Sequence, residues 1–267
     1  MLAPGAAVDD DLKVDILGSR RKIIFVEGTA QSLDAPLYSL LFPQVSVVSK
    51  DGCRHVEHAV RGLQGAGDVH WVSAWGIVDN DQRSAEDVAR LKDAGVWALS
   101  HYSVESLYYH PKIIARVAKR QAGVTGSDPI ALAQTATANA IAAAKEQRDH
   151  LVASAVLRSA RNKVLEGLPH RKDIQAENVV KIEVNVAALR AAEEKRFDAL
   201  ISAADWDGLL VRYPMRESSA FDRVVDGIKI KDQTTYRGAV LKLLQDEPET
   251  VSDLRSLLGD LYASVTA

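Results

Sequence analysis

Arg21–Gly28 reads RKIIFVEG, and Trp75–Asp81 reads WGIVDND. Each is a short apolar run that ends in acid. Ile23, Ile24, Phe25 and Val26 are β-favouring and show no polar alternation, the pattern of a parallel strand covered on both faces. The run stops at Glu27-Gly28, so a carboxylate stands where a strand emerges and Gly28 can take a backbone shape closed to other residues. The second run, Ala74–Val78, ends at Asp79-Asn80-Asp81. If extended geometry persists through it, Asp79 and Asp81 point to one side, because side chains alternate with period two. Sites in open α/β sheets form at the carboxyl ends of strands. Glu27, Asp79 and Asp81 are therefore expected to converge, and at close range they repel unless a cation or a raised pKa relieves them. The simplest relief is a hard divalent ion taking oxygen ligands, Mg²⁺ or else Mn²⁺.

The spacing of patterns along the chain supports an α/β reading. Asp34–Leu41 is expected to be a helix capped by Ser32 and stopped by Pro43. Val45–Val48 reads as a strand, Cys53–Leu63 as a helix, Gly65–Asp68 as a turn and Trp71–Val78 as a strand. Ser84–Gly95 is a helix with acids in its first turn and glycine at its end. Val96–Leu99 is a fourth strand, and Pro111 opens another helix. Strands alternating with helices indicate a parallel sheet.

Beyond Gly123 the composition turns α-rich. Asp128-Pro129 starts a helix, and Ile130–Glu166 holds no Pro or Gly. It reads as one long helix or as two with a bend near Asp149-His150. Ala187–Ala203 is a further helix, while Val179–Val186 fits strand or helix. Gly208–Tyr213 and Gly227–Lys231 read as short strands, with Ala239–Leu244 and Leu254–Leu261 as closing helices. The expected organisation is a lead-in at 1–19, an α/β core at 20–122, a helical insertion at 123–205 that packs on the sheet or makes a homodimer, and an extension at 206–267 packing on the core.

Composition narrows the function classes. The 267 residues carry 47% hydrophobic side chains, a net charge of −3 and a pI of about 6.2. Wholesale disorder is excluded, and so is the basic footprint of a general DNA-coating protein. Any nucleic-acid contact has to be local. Arg158, Arg161, Lys163, Arg171 and Lys172, or Arg212 and Arg216, are candidates, although solvated helix faces read the same way. The single cysteine, Cys53, allows no internal disulfide. No apolar stretch has the length of a membrane helix and the start lacks a secretory pattern, so a cytoplasmic protein is expected. His55 and His58 share a helix spacing with no third ligand evident. Ser32 and Ser106 have no nucleophile arrangement, and no phosphate-binding glycine loop occurs.

Two further residues belong to the candidate site. Glu105 follows the fourth strand on the expected rim, either capping a helix or ligating metal. Asp226–Lys231 alternates apolar and basic residues; as a strand it projects Lys229 and Lys231 together. An edge strand blunted by lysines explains this as well, with Lys229 a secondary catalytic candidate near a scissile phosphate. Asp34 reads as a first-turn acid favouring the helix dipole.

The order strand-Glu-Gly, helix, strand, helix, strand-Asp-x-Asp resembles the Toprim domain of topoisomerases, primases and OLD-type nucleases. Val26–Gly28, Ser32–Asp34 with Tyr38, Ile77–Asp81 and Tyr102–Ser106 resemble Toprim-like families associated with ABC/AAA-type ATPases. The Toprim effectors of PARIS anti-phage defence are of that kind. The resemblance spans Ile23–Pro111. It implies Mg²⁺-dependent phosphodiester cleavage, with Asp79 and Asp81 as ligands and Glu27 as ligand or general acid/base. It also implies a toxic effector acting on nucleic acid, RNA such as tRNA or else DNA, under a separate ATPase partner. A non-catalytic regulatory or assembly subunit is the alternative. Three converging acids argue against it, and no strand-transfer or polymerisation region favours a topoisomerase or primase.

Overall fold

The computed structural model describes residues 22–29, 31–65 and 72–266. The expected lead-in at 1–19 lies outside the described residues, as do Trp71 and the turn residues 66–68. Four strands, β1 (Lys22–Glu27), β2 (Ser46–Lys50), β3 (Ser73–Val78) and β4 (Val96–Ala98), form one sheet in the order β2-β1-β3-β4. Every pairing is parallel, with Val26 opposite both Ser49 and Ile77. The fold is the α/β arrangement expected of a Toprim-type domain.

Helices α1 (Asp34–Leu41), α2 (Cys53–Gln64) and α3 (Ala85–Asp93) make the crossovers. The chain leaves β1 toward β2, then crosses back to β3 and continues to β4. With right-handed connections, α1 lies on one face and α2 and α3 on the other. Ile23 and Phe25 accordingly pack with Val56, Val60, Leu63 and Leu91, while Ile24 and Val26 face α1. All four are fully buried, which is why the run shows no alternation. Gly76 permits the close approach of α2: a Cβ there would sit 2.7 Å from Val56 Cγ1 and 3.0 Å from Val96 Cγ2. The direction of winding reverses between β1 and β3, so their carboxyl ends flank a topological switch point, the usual crevice of open α/β sheets.

The chain divides into two compact units. The first holds the sheet, Ala85–Tyr108 with the short helix α4 (Val104–Tyr108), and the segment from Arg237 onward. In that segment the end of α12 (Gln233–Asp246) leads to α13 (Pro248–Arg255) and α14 (Leu261–Thr266). It packs on the core. The Arg255 guanidinium donates to Leu41 O through Nε at 2.9 Å and Nη2 at 2.6 Å, and Lys22 Nζ donates to Val265 O at 2.8 Å.

The second unit is Asp81–Ser84 with Tyr109–Tyr236. Its helices are α5 (Pro111–Thr125), α6 (Pro129–Glu146), α7 (Arg148–Glu166), α8 (Arg171–Gln175), α9 (Val186–Ser202), α10 (Trp206–Arg212) and α11 (Ala220–Ile228). The helical stretch therefore starts at Tyr109 rather than 123, and residues 206–236 go with it rather than with the core. The break between α6 and α7 falls at Gln147, close to the expected bend. Residues 179–185 adopt neither strand nor helix. Among the described residues no helix is long and apolar enough to cross a membrane.

Two expected strands do not form. Gly208–Tyr213 is almost all α10, which buries Trp206, Leu209 and Leu210. Asp226–Ile228 is the end of α11, which buries Phe221, Val224, Val225 and Ile228 at the i, i+3, i+4, i+7 spacing of one helix face, and Lys229–Lys231 follow it outside any strand or helix.

Candidate functional site

The first unit gathers four carboxylates at the switch point, on the ends of β1 and β3 and the starts of α1 and α4. Glu27 is the last residue of β1. Gly28 follows with φ of +95°, in the left-handed region, and a Cβ there would stand 2.3 Å from Ser32 Oγ and 3.5 Å from Asp34 Oδ2. The turn thus folds Asp34 back over the end of β1. Ser32, expected to cap α1, instead donates its hydroxyl to Thr29 O at 2.8 Å and closes the turn, leaving Leu33 as the N-cap residue without a side-chain cap.

Asp34 is buried, 8% exposed. Its carboxyl is pushed up to about 7, first by burial, then by the negative charges of Glu105 and Glu27, against opposing hydrogen bonds that include Ser32. Tyr38, one turn further along α1, is fully buried. Its hydroxyl is pushed well above the ordinary range by burial, then by Asp34, Asp79, Tyr108 and Glu27. Among the described residues that hydroxyl has no hydrogen-bond partner. It is a buried donor aimed into an acidic crevice.

Asp79 follows β3 directly. Its Oδ1 accepts from the Val104 N–H at 2.9 Å, tying the end of β3 to the first turn of α4, where Glu105 stands. Asn80 Nδ2 donates to Leu99 O at 2.7 Å and fixes the loop after β4. Glu105 and Glu27 act on Asp34, and Asp34, Asp79 and Glu27 act on the Tyr38 hydroxyl. Carboxylate oxygens with a buried hydroxyl are hard donors, and crowding that raises Asp34 is relieved by a cation. The donors are hard oxygens of the kind Mg²⁺ or Mn²⁺ takes, with no thiol among them, and among the described residues no three of these acids bring a ligand oxygen within 4.8 Å of one another.

Asp81 departs from expectation. Extended geometry ends before it: Asp81 and Gln82 take φ of +50° and +57°, so the period-two relation to Asp79 is lost. Its Oδ2 pairs with Arg158 Nη2 at 2.9 Å. Gln82 donates from Nε2 to Arg212 O and accepts from Asn162 Nδ2 through its carbonyl, each at 2.9 Å. This turn belongs to the helical unit. Two adjacent non-glycine residues in the left-handed region are strained, and these three contacts hold them there.

Lys229 is not on a strand. It is the left-handed C-cap of α11, φ +61°, and its carbonyl accepts from Gln121 Nε2 at 3.1 Å. The strand that was to aim it at a phosphate does not form. Arg212 is equally committed, bound through two nitrogens to the buried Glu193 at 2.9 and 2.6 Å. His55 and His58 lie exposed on α2. His110, not singled out by sequence, caps α5 by accepting from Lys112 N–H at 3.2 Å and pairs with Asp207 at 3.2 Å.

Tyr38 and the burial of Asp34 were the site features sequence reading undervalued. Their signal is the i, i+4 spacing of Asp34 and Tyr38, which puts both on the helix face that buries Leu37 and Leu41. No family model, curated protein or solved structure matches the chain.

Proposed function

We propose that the chain is a metal-dependent phosphodiesterase whose centre is Glu27, Asp79 and Glu105, with Asp34 and Tyr38 behind them. The observation that carries this reading is a buried carboxyl, Asp34, and an unpartnered buried hydroxyl, Tyr38, set among the charges of Glu27, Asp79 and Glu105 at the sheet's switch point. A purely structural crevice has no physical need for crowded acids, since burying them without a cation destabilises the fold. Bound there, Mg²⁺ or Mn²⁺ would polarise a phosphodiester and supply an activated water.

The chain's own residues do the rest. Glu27 and Glu105, whose charges both act on Asp34, would hold the cation. Asp79 is oriented by the Val104 N–H, which donates to its Oδ1. Asp34, with a carboxyl near neutrality, is suited to take up or release a proton at its own oxygen. Asp81 is left outside this set because Arg158 holds it. Nucleic acid is the substrate class supported by the Toprim resemblance, RNA such as tRNA included. The same resemblance supports an effector restrained by a separate ATPase.

Labelled DNA and total RNA incubated with the chain in Mg²⁺, in Mn²⁺ and in chelator test the reading. Cleavage is expected with either metal, none with chelator and none for Glu27→Ala. Cleavage that survives chelation, or that Glu27→Ala leaves unchanged, would remove the proposal.

A further inference from the structure

Between Val156 and Glu193 the helical unit buries no residue. Within that stretch the thirty residues from Leu157 to Val186 carry Leu165, Ile174 and Val179 at 64%, 67% and 86% exposure, along with Leu168, Val180 and Val186. The stretch is nonetheless folded. The His170 N–H is capped by Asp173 Oδ2 at 3.0 Å, and Asn178 Nδ2 donates to the other oxygen at 3.3 Å. Ile182 returns onto the end of α7, 3.0 Å from where a Cβ on Gly167 would stand. The result is a groove of about 410 Å³ in which Pro169, Ile174, Val180 and Ile182 stand beside Asp173, Glu177 and Asn178. Clustered apolar side chains left in water mark an interaction surface rather than an ordinary face.

We propose that Leu157–Val186 is the interface through which a second copy of this chain docks, in a two-fold arrangement. Charge order points to this occupant. Arg158, Arg161, Lys163, Arg171 and Lys172 come first and Asp173, Glu177 and Glu183 last, with Glu166 and Lys181 as exceptions. In a two-fold contact the same patch meets itself reversed, so the basic first part of one protomer faces the acidic second part of the other. A nucleic acid would leave the acidic part opposed to phosphate, and a strongly acidic protein would do the same. The extent also fits: thirty residues match the roughly 20–30 a standard interface takes from each partner. The assignment does not depend on the metal site.

The test is sedimentation velocity of the full chain at micromolar concentration, beside the double variant Ile174→Glu/Val180→Glu. Both positions are exposed, so the variant should keep its far-ultraviolet circular dichroism. Wild type is expected at twice the 29.0 kDa chain mass and the variant at the chain mass. A variant that loses its spectrum is replaced by Val179→Lys, read the same way. Wild type sedimenting as one chain, or as one chain carrying nucleic acid or another protein, overturns the proposal, as does a folded variant that remains a dimer.

Discussion

Asp34 makes the stability of the metal-free chain depend on pH. Its carboxyl is raised from 3.8 to about 7 in the fold, so the folded state binds that proton more tightly than the unfolded chain. The contribution is fully present below about 3.8 and is lost as pH rises through about 7. In chelator, stability is therefore expected to fall between those limits, by up to about 4 kcal/mol if the whole shift is expressed. Asp34→Asn should flatten this part of the profile and raise metal-free stability at pH 8. Urea titrations across pH check it, and an unchanged slope in the variant would show that Asp34 is not the group responsible. Sequence reading reached Asp34 only as a first-turn acid, because spacing cannot reveal that Gly28 folds it back over β1. Asp81 was misplaced for the complementary reason: alternation holds only while the strand stays extended, and the chain leaves that geometry at φ +50°.

At the scale of elements, what was legible was whatever packs by a long local pattern. β1 was readable because four consecutive residues are fully buried, and α2 because Val56, Val60 and Leu63 mark one face. α10 and α11 do not read as helices from Gly208 or Asp226 onward, because the residues that mark their buried faces come earlier. Starting at Gly208 hides Trp206, and starting at Asp226 hides Phe221, Val224 and Val225, leaving a six-residue fragment whose alternation mimics a strand. Val179–Val186 is dense in β-branched residues yet forms no strand, since a strand requires a sheet edge to pair with. The packing of α2 on β3 gives the prediction proper to this scale. Gly76→Ala places a methyl against Val56 and Val96 and should cost about 1–3 kcal/mol by overpacking. It should not alter the stabilisation that Mg²⁺ confers, because the strand end lies beyond it. A thermal melt near wild type would mean that α2 shifts aside freely and that the close approach is not a constraint.

For the molecule as a whole, the decisive quantity is how folding and cation binding are linked. A ligand that binds only the folded chain stabilises it by RT ln(1 + [L]/Kd), about 2.7 kcal/mol when the ligand is at a hundredfold its Kd. Mg²⁺ is therefore expected to raise the melting temperature of wild type and to cancel much of the pH dependence set by Asp34. Glu27→Ala removes a charge that pushes on Asp34 and takes no apolar side chain from the core. Its metal-free melt should stay within about 1 kcal/mol of wild type, while the Mg²⁺ shift is lost. Asp79→Ala differs in kind. It also deletes the oxygen that accepts from Val104 N–H, so it should cost about 1 kcal/mol without metal in addition to losing the shift. Phe25→Ala is the contrasting case: emptying a fully buried aromatic site should cost about 3–5 kcal/mol, with the Mg²⁺ shift retained in whatever still folds. Melts of the four proteins with Mg²⁺ and with chelator separate these outcomes. If Mg²⁺ leaves wild type unmoved, or Glu27→Ala keeps the full shift, the acids serve the fold alone and the crevice is not a metal centre.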